Sequence, residues 1–229
     1  MTKMPPETPP DTNDVAHFSA HVAHDLNNLL TGILGNLELM QNRARRTGIT
    51  NFDSYLDGAR NAGARAADFA RRLLAFSGQA SHERAAISVA SVLHEAADTM
   101  PVTNLSVHNE AGRADVFCDG AQLTLSLIEL LKNAAEATAS GGTITLTASL
   151  AAENVIITVQ DSGAGMESDI LARCTMPFFS TQPNGTGKGL GLPIASRFAQ
   201  SAGGALEITS VTGAGTTAKL ILPCFSAPP

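Results

Sequence analysis

The residues best equipped for chemistry fall in three places. The first is His24-Asp25-Leu26-Asn27-Asn28. An exposed imidazole is largely neutral at pH 7, so one ring nitrogen keeps a lone pair and can attack a phosphoryl group. Asp25 can accept or orient a proton, and Asn28, one helical turn beyond His24, can position water. His17 and His21 lie on much the same helical face. Position does not separate the three histidines; the neighbours of His24 do. The second place is Glu129 and Asn133, spaced i, i+4 within Glu129-Leu-Leu-Lys-Asn133-Ala-Ala-Glu136. An amide oxygen is a hard neutral ligand, suited to a Mg²⁺ ion that also keeps waters and phosphate oxygens.

The third place opens with Asp161-Ser162-Gly163-Ala164-Gly165-Met166, at the tip of the apolar run NVIITVQ. A carboxylate there can accept the amino hydrogens of adenine, and glycines let main chain approach a flat ring. Further on, Gly185-Thr186-Gly187-Lys188-Gly189-Leu190-Gly191-Leu192 alternates glycines, which excludes helix or strand interior and predicts a mobile loop running into a helix start. Backbone N–H groups at such a start, with the helix dipole, suit triphosphate oxygens, and Lys188 adds a point charge. Neither a Walker loop nor a dinucleotide fingerprint is present.

Two kinds of element must position these groups. Residues 1–13 hold Pro5, Pro6, Pro9 and Pro10 among polar residues and read as a disordered tail. From Asp14, read as an N-cap, Val22, Leu26, Leu29, Ile33, Leu37 and Met40 form an apolar stripe of helical period. His24 then projects roughly 180° from the stripe centre. Arg45, Arg46 and Gly48 close this helix. A second helix runs from about 51 to 77, with Phe52, Leu56, Ala59, Ala66, Phe69, Leu73 and Phe76 on its apolar side and Gly78 as its stop. The two make an antiparallel hairpin over 14–80. One hairpin leaves each stripe half covered, which predicts a homodimer completing a four-helix bundle. Over 81–225 short β-branched segments (NLSVHN, DVFCD, TITLTASL, NVIITVQ, ALEITSV, TAKLILP) alternate with helical stretches near 89–99, 120–139 and 190–202. Glu153-Asn154 and Gly213-Ala214-Gly215 read as turns. This mixture predicts a two-layer α/β sandwich with a mixed sheet, joined to the hairpin near 78–84.

Composition narrows the function. The 229 residues are 44% hydrophobic and 16% charged, as in ordinary globular domains. No apolar run reaches the roughly 18–20 residues needed to cross a bilayer, and no signal segment opens the chain. A formal net charge of -6 argues against nucleic acid. Cys118, Cys174 and Cys224 are widely spaced and unpaired, as expected for small buried side chains in a reducing cytoplasm.

Six motifs in order resemble those of sensor-type histidine protein kinases of bacterial two-component systems, over about residues 14–224. They are His24 to Asn28 (phosphoacceptor box), Glu129 to Asn133 (Asn box), Asp161 to Gly165 (first Gly box), Phe178-Phe179 (Phe box), Gly185 to Gly191 (second Gly box) and Gly213-Ala-Gly215-Thr216. The resemblance implies a Bergerat-type ATP-binding domain over 81–225, with ATP and Mg²⁺ as cofactors. Asn133 would hold the metal and Asp161 the adenine amino group. Gly163, Gly165, Phe179, the 180–189 lid with Gly185, Gly187, Lys188 and Gly189, and then Leu190, Gly191 and Thr216 would complete the nucleotide site. His24 would take the γ-phosphoryl group, aided by Asp25, and pass it to an aspartate of a response-regulator receiver domain. Asn28 would orient water for dephosphorylating that regulator. Family members often carry Asn where Glu129 stands, whereas the related ATPases use Glu there to activate water, so two roles stay open for it. The lid is short. No sensor domain is recognisable, which implies a separate sensory protein or a longer parent chain. The alternatives are a dimeric phosphotransfer relay without kinase activity and an ATPase switch.

Overall fold

The structure, a computed structural model, describes residues 12–48, 53–77, 83–100, 104–181 and 189–225, with the side chains of 12–25, 27–29, 53 and 55 outside that description. The chain divides into two compact units, Met1–Ala80 and Ser81–Pro229.

The first unit contains α1 (Thr12–Thr47) and α2 (Asp53–Ser77), packed on each other. Helix α1 starts two residues ahead of Asp14, which therefore lies inside its first turn and does not cap it. Arg45 and Arg46 occupy its last turn, and Gly48 follows at φ +69°, a left-handed stop that suits glycine. Its inner face is not the expected stripe. Leu30 is buried and Leu26, Leu34 and Leu37 are half-buried, while Ile33 and Met40 stand exposed. The segment LLTGILGNLELM carries two adjacent apolar faces, and the stripe read from the sequence straddles both. Only one of them meets α2, at Leu56, Leu73 and Phe76. A Cβ on Gly63 would sit 2.6 Å from Leu34 Cδ2, so the glycine lets the helices close there.

One position on the inner face is polar. Gln41 is 4% exposed; its Nε2 donates to Asp57 Oδ1 at 3.1 Å, and its Oε1 accepts from the Arg60 guanidinium. A buried amide needs such partners, because stripping them costs about 1–3 kcal/mol.

The second unit runs β1 (Ala85–Ser88), α3 (Val89–Thr99), β2 (Leu105–Asn109), β3 (Asp115–Cys118), α4 (Gly120–Ala137), β4 (Ile144–Ala151), β5 (Asn154–Asp161), α5 (Ser168–Leu171), α6 (Gly191–Ser201), β6 (Ala205–Val211) and β7 (Gly215–Phe225). The sheet order is β1-β3-β7-β5-β4-β2, with β6 also on β7. Only the β2–β4 pairing is parallel among those described, so the sheet is mixed. Alternate residues of β4, β5 and β7 (Ile144, Leu146, Val155, Ile157, Leu220, Leu222) point one way and are fully buried. They meet Val89 and Leu93 of α3, Leu123, Leu127 and Leu131 of α4, and Phe198 of α6 in one core. This is the two-layer α/β sandwich.

Strand β1 and the single turn α5 were not foreseen. AAIS has little strand propensity of its own and holds its place through pairing with β3. The β4–β5 turn is Ala152-Glu153, one residue earlier than expected; Ala152 takes φ +54° and Asn154 already pairs with Ala151. Cys118 and Cys174 are buried and Cys224 is half-buried, all free thiols. Burial pushes the Cys118 thiol up to about 11.

Helix α4 is set by its cap: Asp119 Oδ1 accepts Gln122 N–H at 3.2 Å. Asp119→Ala should cost about 1 kcal/mol and lower the melting temperature of the second unit by about 2–4 °C, read by thermal denaturation. An unchanged melt would mean that tertiary packing alone fixes the helix start.

Candidate functional site

The clearest constellation lies where β5 ends. Asp161 is the last residue of β5, 7% exposed, and its Oδ1 accepts two main-chain N–H groups: Gly163 at 2.8 Å and Thr216 at 3.2 Å. Two donors on one oxygen fix the carboxylate plane. Among the described residues no partner is recorded for Oδ2, which stays available as an acceptor.

The glycines around Asp161 are needed for main-chain packing. A Cβ on Gly163 would lie 2.4 Å from Ala137 O, and one on Gly165 (φ +66°) 2.0 Å from Val211 O. The sequence suggested that these glycines let main chain approach a flat ring; in the structure the Cβ direction at each is filled by the end of α4 or the β6–β7 turn. Ala164 N–H donates to Ala137 O at 3.1 Å, and Gly213 N–H to Ala164 O at 2.7 Å. The loop after Asp161 is thus clamped on both sides.

Ser210, near the end of β6, was missed by the sequence reading. Its hydroxyl accepts Met166 N–H at 2.8 Å and lies 3.0 Å from Gly215 O and 2.9 Å from Thr216 Oγ1. A signal existed. A turn centred on Gly213 pairs Ser210 with Thr216, and Thr216 in turn pairs with Asp161, so the three form one cross-strand row.

On α4, Glu129 is 2% exposed and Asn133 half-buried. An i, i+4 polar pair usually marks a solvated face, but α6 approaches this one. A Cβ on Gly191, the first residue of α6, would lie 3.0 Å from Glu129 Oε2 and 3.2 Å from Asn133 Nδ2. Lys132 Nζ stands 3.5 Å from Glu129 Oε1. Among the described residues no group of three or more His, Cys, Asp or Glu could hold a metal ion. The chemistry of an amide oxygen suits Mg²⁺, and Asn133 is the residue that would hold such an ion.

At the foot of the glycine-rich segment, Phe178 N–H donates to Gly189 O at 2.8 Å. Phe178 takes φ +63° and Gly189 φ +66°; a Cβ on Gly189 would lie 2.5 Å from Phe179 O. The half-buried Phe179 ring is covered by the Arg173 guanidinium, 4.3 Å from its centroid. Leu190 is 1% exposed, so its side chain belongs to the interior and anything it offers a ligand is main chain. Gly185, Gly187 and Lys188 lie outside the described residues, as do the side chains of His24, Asp25 and Asn28. The last three lie on the continuous helix α1, His24 and Asp25 adjacent and Asn28 one turn further on.

The structure brings Asp161, Gly163, Gly165 and Thr216 into one cluster, and Glu129, Asn133 and Gly191 into another, within the same α/β sandwich. The second unit is a mixed sheet layered with helices, with a carboxylate held at a strand end and an Asn on the adjoining helix; the first unit is a helical hairpin. Residues 118–225 match the family model "Histidine kinase-, DNA gyrase B-, and HSP90-like ATPase", and residues 14–79 match "His Kinase A (phospho-acceptor) domain". The chain belongs to the two-component sensor histidine kinase family. It is 30% identical to "Sensor kinase CckA" of Brucella abortus, over 91% of this chain and 24% of that protein. To "Histidine protein kinase DivJ" of Caulobacter vibrioides it is 28% identical, over 93% of this chain and 38% of that one. The chain therefore spans well under half the length of these relatives. A solved structure titled "Crystal structure of ShkA full-length in complex with AMPPNP" is similar in fold, with TM-score 0.76 and 24% identity over 94% of this chain and 47% of that one. Among the described residues no helix is long and apolar enough to cross a membrane.

Proposed function

We propose that this chain binds MgATP in its second unit, phosphorylates its own His24, and hands the phosphoryl group to an aspartate of a response-regulator receiver domain. The observation that carries the ATP reading is the Asp161 cradle. One carboxylate oxygen is saturated by Gly163 and Thr216 N–H groups, and the other is left to accept from an exocyclic amine. Asn133, beside the start of α6, supplies the metal ligand. A bound Mg²⁺ neutralises charge on the phosphates. Main-chain N–H groups of the 180–191 segment and Lys188 hold the phosphate oxygens.

In the reaction the free imidazole nitrogen of His24 attacks the γ-phosphorus in line. A P–N bond forms, the bond to the β,γ-bridging oxygen breaks, and ADP leaves. Asp25 orients the ring and receives its proton. The protein contributes mostly positioning and charge stabilisation, as phosphoryl transfer requires. Transfer onward exchanges the P–N bond for an acyl phosphate, and Asn28 orients water for hydrolysing that acyl phosphate. A second copy of the hairpin covers the exposed Ile33 and Met40, completing a dimer. A separate sensory protein or a longer parent chain supplies the stimulus, and ATP as donor places the reaction in the cytoplasm. The net charge of -6 fits protein partners better than nucleic acid.

The buried Glu129 beside Asn133 favours one other reading, activation of water for ATP hydrolysis. Incubation with γ-labelled ATP and Mg²⁺ separates them. The expected result is acid-labile, alkali-stable protein label that disappears in His24→Gln. Free phosphate without protein label would instead assign an ATPase. Label acquired only from a phosphorylated receiver would assign a relay.

A further inference from the structure

Ser210 has no part in the reaction proposed above, yet its hydroxyl is the most connected polar atom beside Asp161. It meets Met166 N–H at 2.8 Å, Gly215 O at 3.0 Å and Thr216 Oγ1 at 2.9 Å. A hydroxyl has one proton and two lone pairs. If Ser210 donates to Gly215 O, its lone pairs receive Met166 N–H and the Thr216 hydroxyl proton, and all three contacts are hydrogen bonds. If it donates to Thr216 instead, the Ser210 and Gly215 oxygens face each other at 3.0 Å with no hydrogen between them. The first assignment satisfies every atom.

That assignment commits the only hydroxyl proton of Thr216 to Ser210. Toward Asp161, its partner across the strands, Thr216 Oγ1 keeps lone pairs alone. Asp161 Oδ1 already holds two N–H groups, and Oδ2 is likewise an acceptor. Two oxygens on one face of the sheet therefore present no hydrogen at all.

We propose that Ser210 is a positioning residue for base choice: by drawing off the Thr216 proton it leaves an acceptor-only edge that takes a 6-amino purine and rejects a 6-oxo purine. This rests on the ATP-site reading above. At position 6 adenine offers hydrogens from its exocyclic nitrogen, whereas the O6 of hypoxanthine would face oxygen lone pairs, its one hydrogen on this edge lying on N1. Adenosine and inosine diphosphates differ only along this edge, which makes them the probes.

The test is calorimetric titration of the full chain with each diphosphate in Mg²⁺. The wild-type protein should prefer ADP by at least about 100-fold. In Ser210→Ala the Thr216 hydroxyl is free to turn and donate, so ADP should weaken and IDP tighten, reducing the preference to about 10-fold or less. Tighter IDP binding is an outcome that simple loosening of the site cannot produce. Ser210→Thr, which restores a hydroxyl, should restore the preference. In a Thr216→Val background Ser210→Ala should leave the ADP:IDP ratio unmoved. If the alanine variant does not fold, Ser210→Cys, a weaker donor of similar size, should shift the ratio in the same direction. Equal weakening of both nucleotides, or an unchanged ratio, overturns the role of Ser210 while leaving the ATP site standing. Binding of neither nucleotide by the wild-type protein overturns both.

Discussion

Asp161→Asn should weaken ATP binding by about 100-fold or more while the protein remains folded. The amide oxygen can take the place of Oδ1 and keep both N–H groups of Gly163 and Thr216. The NH₂ group then stands where Oδ2 stood and points its hydrogens at the adenine amine, donor against donor. Rotating the amide is worse, because the NH₂ would face two main-chain N–H groups. Loss of a hydrogen bond to a charged acceptor accounts for about 1.5–3 kcal/mol, and the donor clash adds to it. Titration calorimetry with ATP, beside a thermal melt, reads both halves of the expectation. Wild-type affinity in this variant would remove Asp161 from the base site, and label on His24 should vanish in step with affinity.

The second large effect is on stability. Gly215→Ala should cost about 3 kcal/mol or more, because two penalties coincide. Gly215 has φ +97°, and a Cβ there would lie 1.9 Å from Asp161 O and 2.8 Å from Asp161 C. Both atoms are main chain of a central strand, so neither can yield cheaply. Gly213, two residues away, is the internal control: at φ +77° it has nothing within 4 Å of an added Cβ. Gly213→Ala should cost only about 1 kcal/mol, the conformational part alone. Equilibrium unfolding in urea compares the two. Equal losses would show that the close approach to Asp161 carries no energy.

What could be read in the sequence follows from how local each signal is. Strands β4 to β7 and helices α3, α4 and α6 announce themselves through period and composition, and the structure has them within a residue or three of their expected limits. The same holds for Asp161, because an apolar strand that ends in a carboxylate and glycines can only deliver that group to an edge. The face of α1 was not legible. Two apolar faces lie side by side on it, and the one used contains Gln41, so the cleaner-looking stripe is the other, through the exposed Ile33 and Met40. The burial of Glu129 was not legible for a different reason. Helix α6 begins beside it at Gly191, far along the chain, and no periodicity within α4 records that approach. The packing constraint on Gly163 and Gly165 was hidden likewise, since Ala137 and Val211 reach them only through the tertiary fold. Ser210 could have been found by counting outward from the turn at Gly213, since a hairpin's register follows from its turn.

The polar pairings of Gln41 make the helical hairpin a keyed joint. Apart from Leu34 seated over Gly63, the apolar contacts between α1 and α2 are non-directional and resist sliding only weakly. Slippage would pull the Gln41 amide away from Asp57 and Arg60 and leave it facing hydrocarbon. Axial sliding is therefore penalised within each hairpin, whereas turning or bending the two helices together leaves the key seated. A signal arriving at this hairpin would travel as a twist or a tilt more cheaply than as a piston stroke.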